Sequence, residues 1–292
     1  MKLGLIGSAF RRDDPKGVPL ELQGLLDPRT EVEIYLPRVS RFPNNPIDLK
    51  IQEIGYLDAG IKAVEDGCDA IVLNSFGDYG LAALKSATKV PVVGAGEAGM
   101  SIAASLGSPF AIVTVWPRST EFLYASVLRA AGLQSSCAGV LHVGSEEDLA
   151  SLGTDDDYIA LMQRGERGVV GRIADSCRKA ESDGAGSILL GCTCMSSIAA
   201  ELAGAVDIPV INPLTAAAKY GEMLALLSIA QSPVSFPRSG LESLGSLRAL
   251  VDAAASVVGS DSCEICALVV AGDGSTTTAC TIDARLARSA ES

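Results

Sequence analysis

The amino-acid sequence predicts an α/β fold in which two similar halves, each with a parallel sheet, face one another across a cleft. Three observations carry this prediction. Apolar runs of strand length alternate with helix-patterned stretches. Ala, Gly, Val and Leu dominate a chain of 292 residues with 48% hydrophobic but only 4% aromatic content. One α/β segment also recurs 117 residues further on. Alternation of this kind marks βα units, whose parallel strands are buried on both faces and read as unbroken apolar runs.

In order, "KLGLIGS" (2–8) reads as the first strand and "EVEIYLP" (31–37) as the second, after a helical stretch interrupted by Pro19. The polar loop "RVSRFPNNPIDLK" contains Pro43 and Pro46. A helix then runs to Asp66-Gly67, where glycine gives the usual stop. "DAIVLNS" (69–75) is the next strand, followed by a helix from about Gly80 to Ala87 and the short strand "VPVVGA" (90–95). Laying 63–84 over 180–202 matches Asp66-Gly67 with Asp183-Gly184, Ile71 with Ile188 and Leu73 with Leu190. "KVPVVG" (89–94) then lies over "DIPVIN" (207–212), and "LGLIGS" (3–8) over "FAIVTV" (110–115). The halves so defined are 1–96 plus about 213–236, and 97–212. Residues 237–292 form a C-terminal extension to which no role is assigned. It holds an amphipathic helix over 241–258 and a strand or hairpin around Gly272-Asp273-Gly274.

A net charge of −12 argues against nucleic acid or an anionic membrane as partner, because such a surface repels phosphates. No run approaches the ~18 apolar residues needed to span a bilayer. The start "MKLGLIGSAFRRDD" lacks the long apolar region of a signal peptide, so a cytoplasmic location and reduced thiols are expected for the eight cysteines.

Chemistry is expected at two turns. In the repeat, Ser75 is the counterpart of Cys192, each at a strand end with a helix beginning just beyond. Ligands of open α/β sheets bind at such strand ends. A thiol there meets the positive end of a helix dipole and unpaired backbone N–H groups, which stabilise its thiolate. The same N–H groups and the Thr193 hydroxyl can hold a substrate oxygen while the thiolate exchanges a carbon-bound proton. That scheme calls for no metal and no cofactor. Cys192-x-Cys194 and Cys263-x-x-Cys266 would supply four sulfurs for zinc, but the spacing is a poor match and His142 is the only histidine. His142 reads as an ordinary strand residue, Cys194 as a packing neighbour, and the "DDD" at 155–157 as a solvated loop.

The stretches 69–107 and 188–222, with "SFGDYG" and "GCTCM" at their strand ends, resemble the aspartate/glutamate/hydantoin racemase superfamily, nearest its hydantoin and allantoin racemase branch. The resemblance covers roughly 1–230 and implies two pseudo-symmetric flavodoxin-like, Rossmann-like domains with the active site in the cleft between them. It also implies cofactor-independent proton transfer by two cysteines on opposite faces of one carbon, acting on a small hydantoin-type or amino-acid-like molecule, in a homo-oligomer. Cys192 matches the second catalytic position. Ser75 stands at the first, where the family usually has cysteine in a "CFGD" context. It is either an engineered replacement or the native residue of a one-sided catalyst.

Arylmalonate decarboxylases of the same superfamily resemble that one-sided pattern, and a decarboxylase with Cys192 as sole proton donor is the alternative enzyme. A catalytically impaired binding relative is the alternative outside enzymes. Asn74, Phe76, Thr193 and Cys194 are expected to offer backbone N–H groups to substrate. Ser8 and Thr114 are expected to face the cleft, Trp116 to wall it, and Arg118 and Arg11 to serve as anion partners. The loop "GSAFRRDD" departs from the Asn-Pro-Asn-Thr pattern usual in the hydantoin branch.

Overall fold

The apolar runs become strands of two separate parallel sheets, in a computed structural model that describes residues 1–7, 17–107, 109–152 and 156–257. The chain starts with β1 (Lys2–Ile6), β2 (Glu31–Tyr35), α1 (Pro46–Glu65), β3 (Ala70–Leu73), α2 (Leu81–Ala87) and β4 (Val92–Gly94). α3 (Ala95–Leu106) leads to β5 (Phe110–Thr114), α4 (Glu121–Ala131), β6 (Cys137–His142) and the short α5 (Glu146–Ala150). Next come α6 (Tyr158–Gln163), α7 (Arg167–Ser182), β7 (Ser187–Leu190), α8 (Ala199–Ala203) and β8 (Val210–Ile211). α9 (Pro213–Leu226) and α10 (Leu241–Val257) follow. Ser8, Arg11, Cys263, Cys266 and the expected hairpin at 272–274 lie outside the described residues.

The strand orders are β2-β1-β3-β4 and β6-β5-β7-β8, so the repeat in sequence is a repeat of topology. β1 pairs β3 with Ile6 opposite Leu73, and β5 pairs β7 with Val113 opposite Leu190. β3, β5 and β7 are buried along their whole length, as strands covered by helices on both faces must be. Each Leu, Ile or Val so buried contributes roughly 1.5–3 kcal/mol of transfer free energy.

The helix stops repeat as well. Gly67 (φ 83°) and Gly184 (φ 95°) both adopt the left-handed conformation. Cys68 N–H then reaches back to the Ala63 carbonyl, and Ala185 N–H to the Ala180 carbonyl. A side chain at either glycine would strain a left-handed backbone, which is why glycine ends both helices.

Three expectations are corrected. Pro46 is not a loop residue: it is the first residue of α1, where proline's missing N–H costs nothing. Asn45 caps that helix, its side chain accepting from Ile47 and Asp48 N–H at 2.9 and 3.0 Å, a contribution of about 1 kcal/mol. After β7 the chain makes a 3-10 turn over Thr193–Ile198 before α8, rather than entering a regular helix at once. Asp157 is not solvated: it is 1% exposed and caps α6 by accepting from Ala160 N–H at 2.8 Å. Asp156 remains at the surface, paired with Arg164.

α9 returns to the first sheet, packing on β3, β4 and α3. The segment beyond it clasps α2. Gln231 donates to the Lys85, Thr88 and Val90 carbonyls and accepts from Val92 N–H. The predicted amphipathic helix in the extension is α10, which lies against α1. Val251 is fully buried there, and Arg38–Asp252 and Arg248–Glu65 ion pairs flank the contact.

Candidate functional site

β3 and β7 each give out into a turn, and the two turns line one pocket. Ser75 lies two residues beyond Leu73 and Cys192 two beyond Leu190, and both side chains reach the pocket wall. Both residues are nearly buried, at 8% and 6% exposure. Ser75 Oγ accepts from Gly77 N–H, and Cys192 Sγ accepts from Cys194 N–H, each at 3.2 Å. The sequence correspondence is therefore also a correspondence of side-chain hydrogen bonding. Thr193 Oγ1 donates to the Asn74 carbonyl at 3.3 Å and ties one turn directly to the other.

Gly191 is required by close approach. A Cβ there would stand 2.7 Å from Thr114 Cβ and 2.9 Å from Ile112 Cγ2. The tight passage lets Tyr124 donate to the Gly191 carbonyl at 2.9 Å, while the Thr114 hydroxyl lies 2.5 Å from the phenol oxygen. Thr114 is fully buried and does not line the pocket; it supports Tyr124, which does.

Much of the remaining wall among the described residues is aromatic. In a chain with 4% aromatic residues, six of them surround this pocket: Phe42, Tyr56, Phe76, Tyr79, Trp116 and Tyr124. Trp116 packs against Phe42 at 4.9 Å between ring centroids, and Phe76 against Tyr124 at 5.4 Å. Among the described residues lining it there is no Lys, Arg, His, Asp or Glu. Phe42, Pro43, Tyr56, Tyr79, Leu123 and Tyr124 were not singled out in the sequence. Phe42 and Pro43 come from the loop after β2, and Tyr56 from α1, whose orientation toward the strand ends depends on packing.

Asp78 holds the Ser75 turn in place. It takes a left-handed backbone (φ 48°), uncommon for a residue with a side chain, and so turns its carboxylate onto the start of α3. The two oxygens accept from Gly96 and Glu97 N–H at 2.9 and 2.7 Å. Loss of solvent around the carboxyl pushes its pKa up to about 8, with the Glu97 charge adding to the rise. The two N–H donors and Lys85, itself bonded to Glu97 at 2.5 Å, oppose it.

Cys192 and Cys194 differ from expectation. Their sulfurs are joined as a disulfide across one intervening residue, so Cys194 is a covalent partner and not merely a packing neighbour. Extended backbone at Cys192 (φ −151°, ψ 139°) followed by the 3-10 turn brings the two Cα atoms to 5.2 Å, within the span of a disulfide. Cys68 and Cys177 are free and buried, and Cys137 is free and partly buried.

Of the expected substrate-facing residues, Asn74, Phe76, Trp116 and Thr193 line the pocket, whereas Thr114, Arg118 and Cys194 do not. Arg118 borders a separate opening with Glu121 and His142. His142 does more than fill its strand: it lies 2.7 Å from Glu121 Oε2 and 3.0 Å from the Trp116 carbonyl. Two of the four expected N–H donors are already engaged. Asn74 N–H continues the ladder to the Ile6 carbonyl at 2.8 Å, and Cys194 N–H serves Cys192 Sγ. The parallel pairing runs one residue past β3, within the strand that the sequence predicts over 69–75.

Fold and site together define a two-sheet α/β protein with its pocket between equivalent strand ends. The sequence profile of the Asp/Glu/hydantoin racemase family matches residues 22–221, and the chain belongs to that family. It is 35% identical to the hydantoin racemase of Rhizobium meliloti over 175 residues, 59% of this chain and 68% of that protein. It is 32% identical to the hydantoin racemase of Paenarthrobacter aurescens over 56% of this chain and 64% of that protein. The match thus spans less than two thirds of the latter's length. Among solved structures, allantoin racemase from Klebsiella pneumoniae superposes with a TM-score of 0.66 and 27% identity. That superposition covers 85% of this chain and 98% of the other.

Proposed function

We propose that the chain is a racemase that moves a proton at the acidic α-carbon of a hydantoin-like ring, with Cys192 in its thiol form as acid/base. The observation that carries this reading is the placement of Ser75 and Cys192 on one pocket, at equivalent strand ends with the same hydrogen bond. The Cys192 thiolate removes the α-proton, and the electron pair moves onto the adjacent carbonyl oxygen. The N–H groups of Phe76 and Thr193, directly after Ser75 and Cys192, are the donors proposed to hold that developing charge. Return of the proton from the same thiol restores the original hand; delivery from the Ser75 side inverts it. No metal or cofactor enters this chemistry.

The aromatic side chains that line the pocket among the described residues favour a flat ring, which can stack on Trp116 and Phe76. The halves that carry the two residues are proposed to divide as 1–96 plus 213–236, and 97–212.

Serine is a much poorer base than a thiolate, and this favours a second reading in which Cys192 alone delivers a proton, as in a malonate-type decarboxylation. The test is incubation of the dithiothreitol-reduced protein in deuterated water with hydantoins, allantoin, amino acids and arylmalonates. Loss of optical rotation with α-deuterium uptake supports racemisation, and carbon dioxide release supports the second reading. Turnover that is unchanged in Cys192→Ala removes both.

A further inference from the structure

Cys194 is not a feature the proton-transfer chemistry needs. Its side chain is 2% exposed, lies off the pocket, and is packed with Met195 and Ile198 against the second sheet. Yet the turn brings its Cα to 5.2 Å from that of Cys192, and the two sulfurs are joined. Its own N–H also points at Cys192 Sγ. Cys192, by contrast, lines the pocket and is the one cysteine among the described residues to do so.

We infer that Cys192 and Cys194 form a reversible oxidation site, with Cys192 as the attacked thiol and Cys194 as the resolving one. The oxidant class is a hydroperoxide. Cys192 thiolate attacks the O–O bond; an S–O bond forms, the O–O bond breaks, and hydroxide leaves and takes up a proton as water. Cys194 sulfur then attacks the sulfenic sulfur, forming the S–S bond and releasing the second water. In sum two thiols lose two electrons and two protons while hydrogen peroxide becomes two waters. A dithiol reductant reverses the change by exchange. In the oxidised form Cys192 has no thiol to give or take a proton, so proton transfer stops without chain unfolding. The effect on turnover rests on the function proposed above; the disulfide chemistry does not.

The two sulfurs can be read apart from the other cysteines, because trypsin releases 180–219 as a peptide whose only cysteines are 192 and 194. The full chain is reduced with dithiothreitol, desalted, treated with hydrogen peroxide, alkylated with iodoacetamide and digested. The expected peptide from the reduced protein carries two alkyl groups. The peroxide-treated peptide carries none, is two hydrogens lighter than the free dithiol, and regains both alkylation sites after dithiothreitol. In Cys194→Ser, dimedone should capture a sulfenic acid at Cys192 that the wild-type chain does not retain. Two alkylated cysteines after peroxide, a bridge to a different cysteine, or sulfinic acid at Cys192 of the wild-type chain would overturn the inference. Peptide mapping of the wild type decides the matter even if the variant does not fold. Disulfide formation in a protein whose turnover ignores Cys192→Ala would leave the inference standing and remove the proposed function.

Discussion

Ser75 and Cys192 accept the same hydrogen bond, from the backbone N–H two residues further on, at 3.2 Å in both turns. Oxygen and sulfur thus occupy equivalent seats 117 residues apart in one chain. The backbone at position 75 is that of a turn able to present a thiol, with Gly77 donating where Cys194 donates in the other turn.

Ser75→Cys is therefore expected to raise racemisation of the best hydantoin substrate, because the new thiol is a stronger base in an existing seat. Cys192→Ala is expected to lower it by roughly 10²- to 10⁴-fold, the usual contribution of a positioned acid/base group. Polarimetry and α-deuterium uptake measure both; a Ser75→Cys variant with slower exchange than the parent contradicts the assignment.

Thr193→Val removes the hydroxyl bonded to the Asn74 carbonyl while keeping the side-chain shape. The expected cost is about 1 kcal/mol, seen as a lower urea midpoint with an unchanged m-value. Loss of that tether should also weaken substrate binding, since it couples the two turns.

Gly191→Ala forces a methyl group against Thr114 and Ile112, where only 2.7 and 2.9 Å are available. Overpacking of this kind costs roughly 1–3 kcal/mol. Because Tyr124 bonds the Gly191 carbonyl and lines the pocket, activity is expected to fall together with the melting temperature.

Asp78 should make stability depend on pH. Its folded pKa of about 8 lies above the ordinary 3.8, so the folded state holds the proton more tightly than the unfolded chain. Its contribution is complete below about pH 4 and declines as pH rises toward 8. The facing charges are Glu97, whose repulsion deepens the loss, and Lys85, which limits it. Urea melts of wild type and Asp78→Asn across pH 4–9 should show the wild type losing ground to the variant as pH rises. Parallel curves would rule out titration of Asp78 in that window.

Val251→Ala tests whether α10 is structural. Removing two buried methyl groups should cost ~1.5 kcal/mol of stability, with kcat unchanged, because the residue faces α1 and not the pocket.

Much of this architecture was legible because it is written in short-range pattern. Apolar runs gave the strands, and Asp66-Gly67 and Asp183-Gly184 marked the helix ends. Pro46 was misread because a proline in a polar stretch looks the same whether it breaks a loop or begins a helix. Only the cap at Asn45 distinguishes the two. Asp157 was misread for a similar reason: a run of three acids looks solvated until one of them is found at a helix N-terminus. Arg118 follows Trp116 closely, yet the two side chains serve different openings, because the turn after β5 separates them.

By itself the sequence determined the α/β class, the duplicated topology and the two strand ends that carry Ser75 and Cys192. Those features depend on the periodicity of neighbouring residues and on a repeat visible letter by letter. Only the tertiary structure decided that Phe42, Tyr56 and Tyr79 wall the pocket and that Asn74 N–H is consumed by Ile6. It also decided that Arg118 lies outside the pocket and that Cys194 meets Cys192. These outcomes depend on how loops and helices pack across distances along the chain that no local pattern encodes.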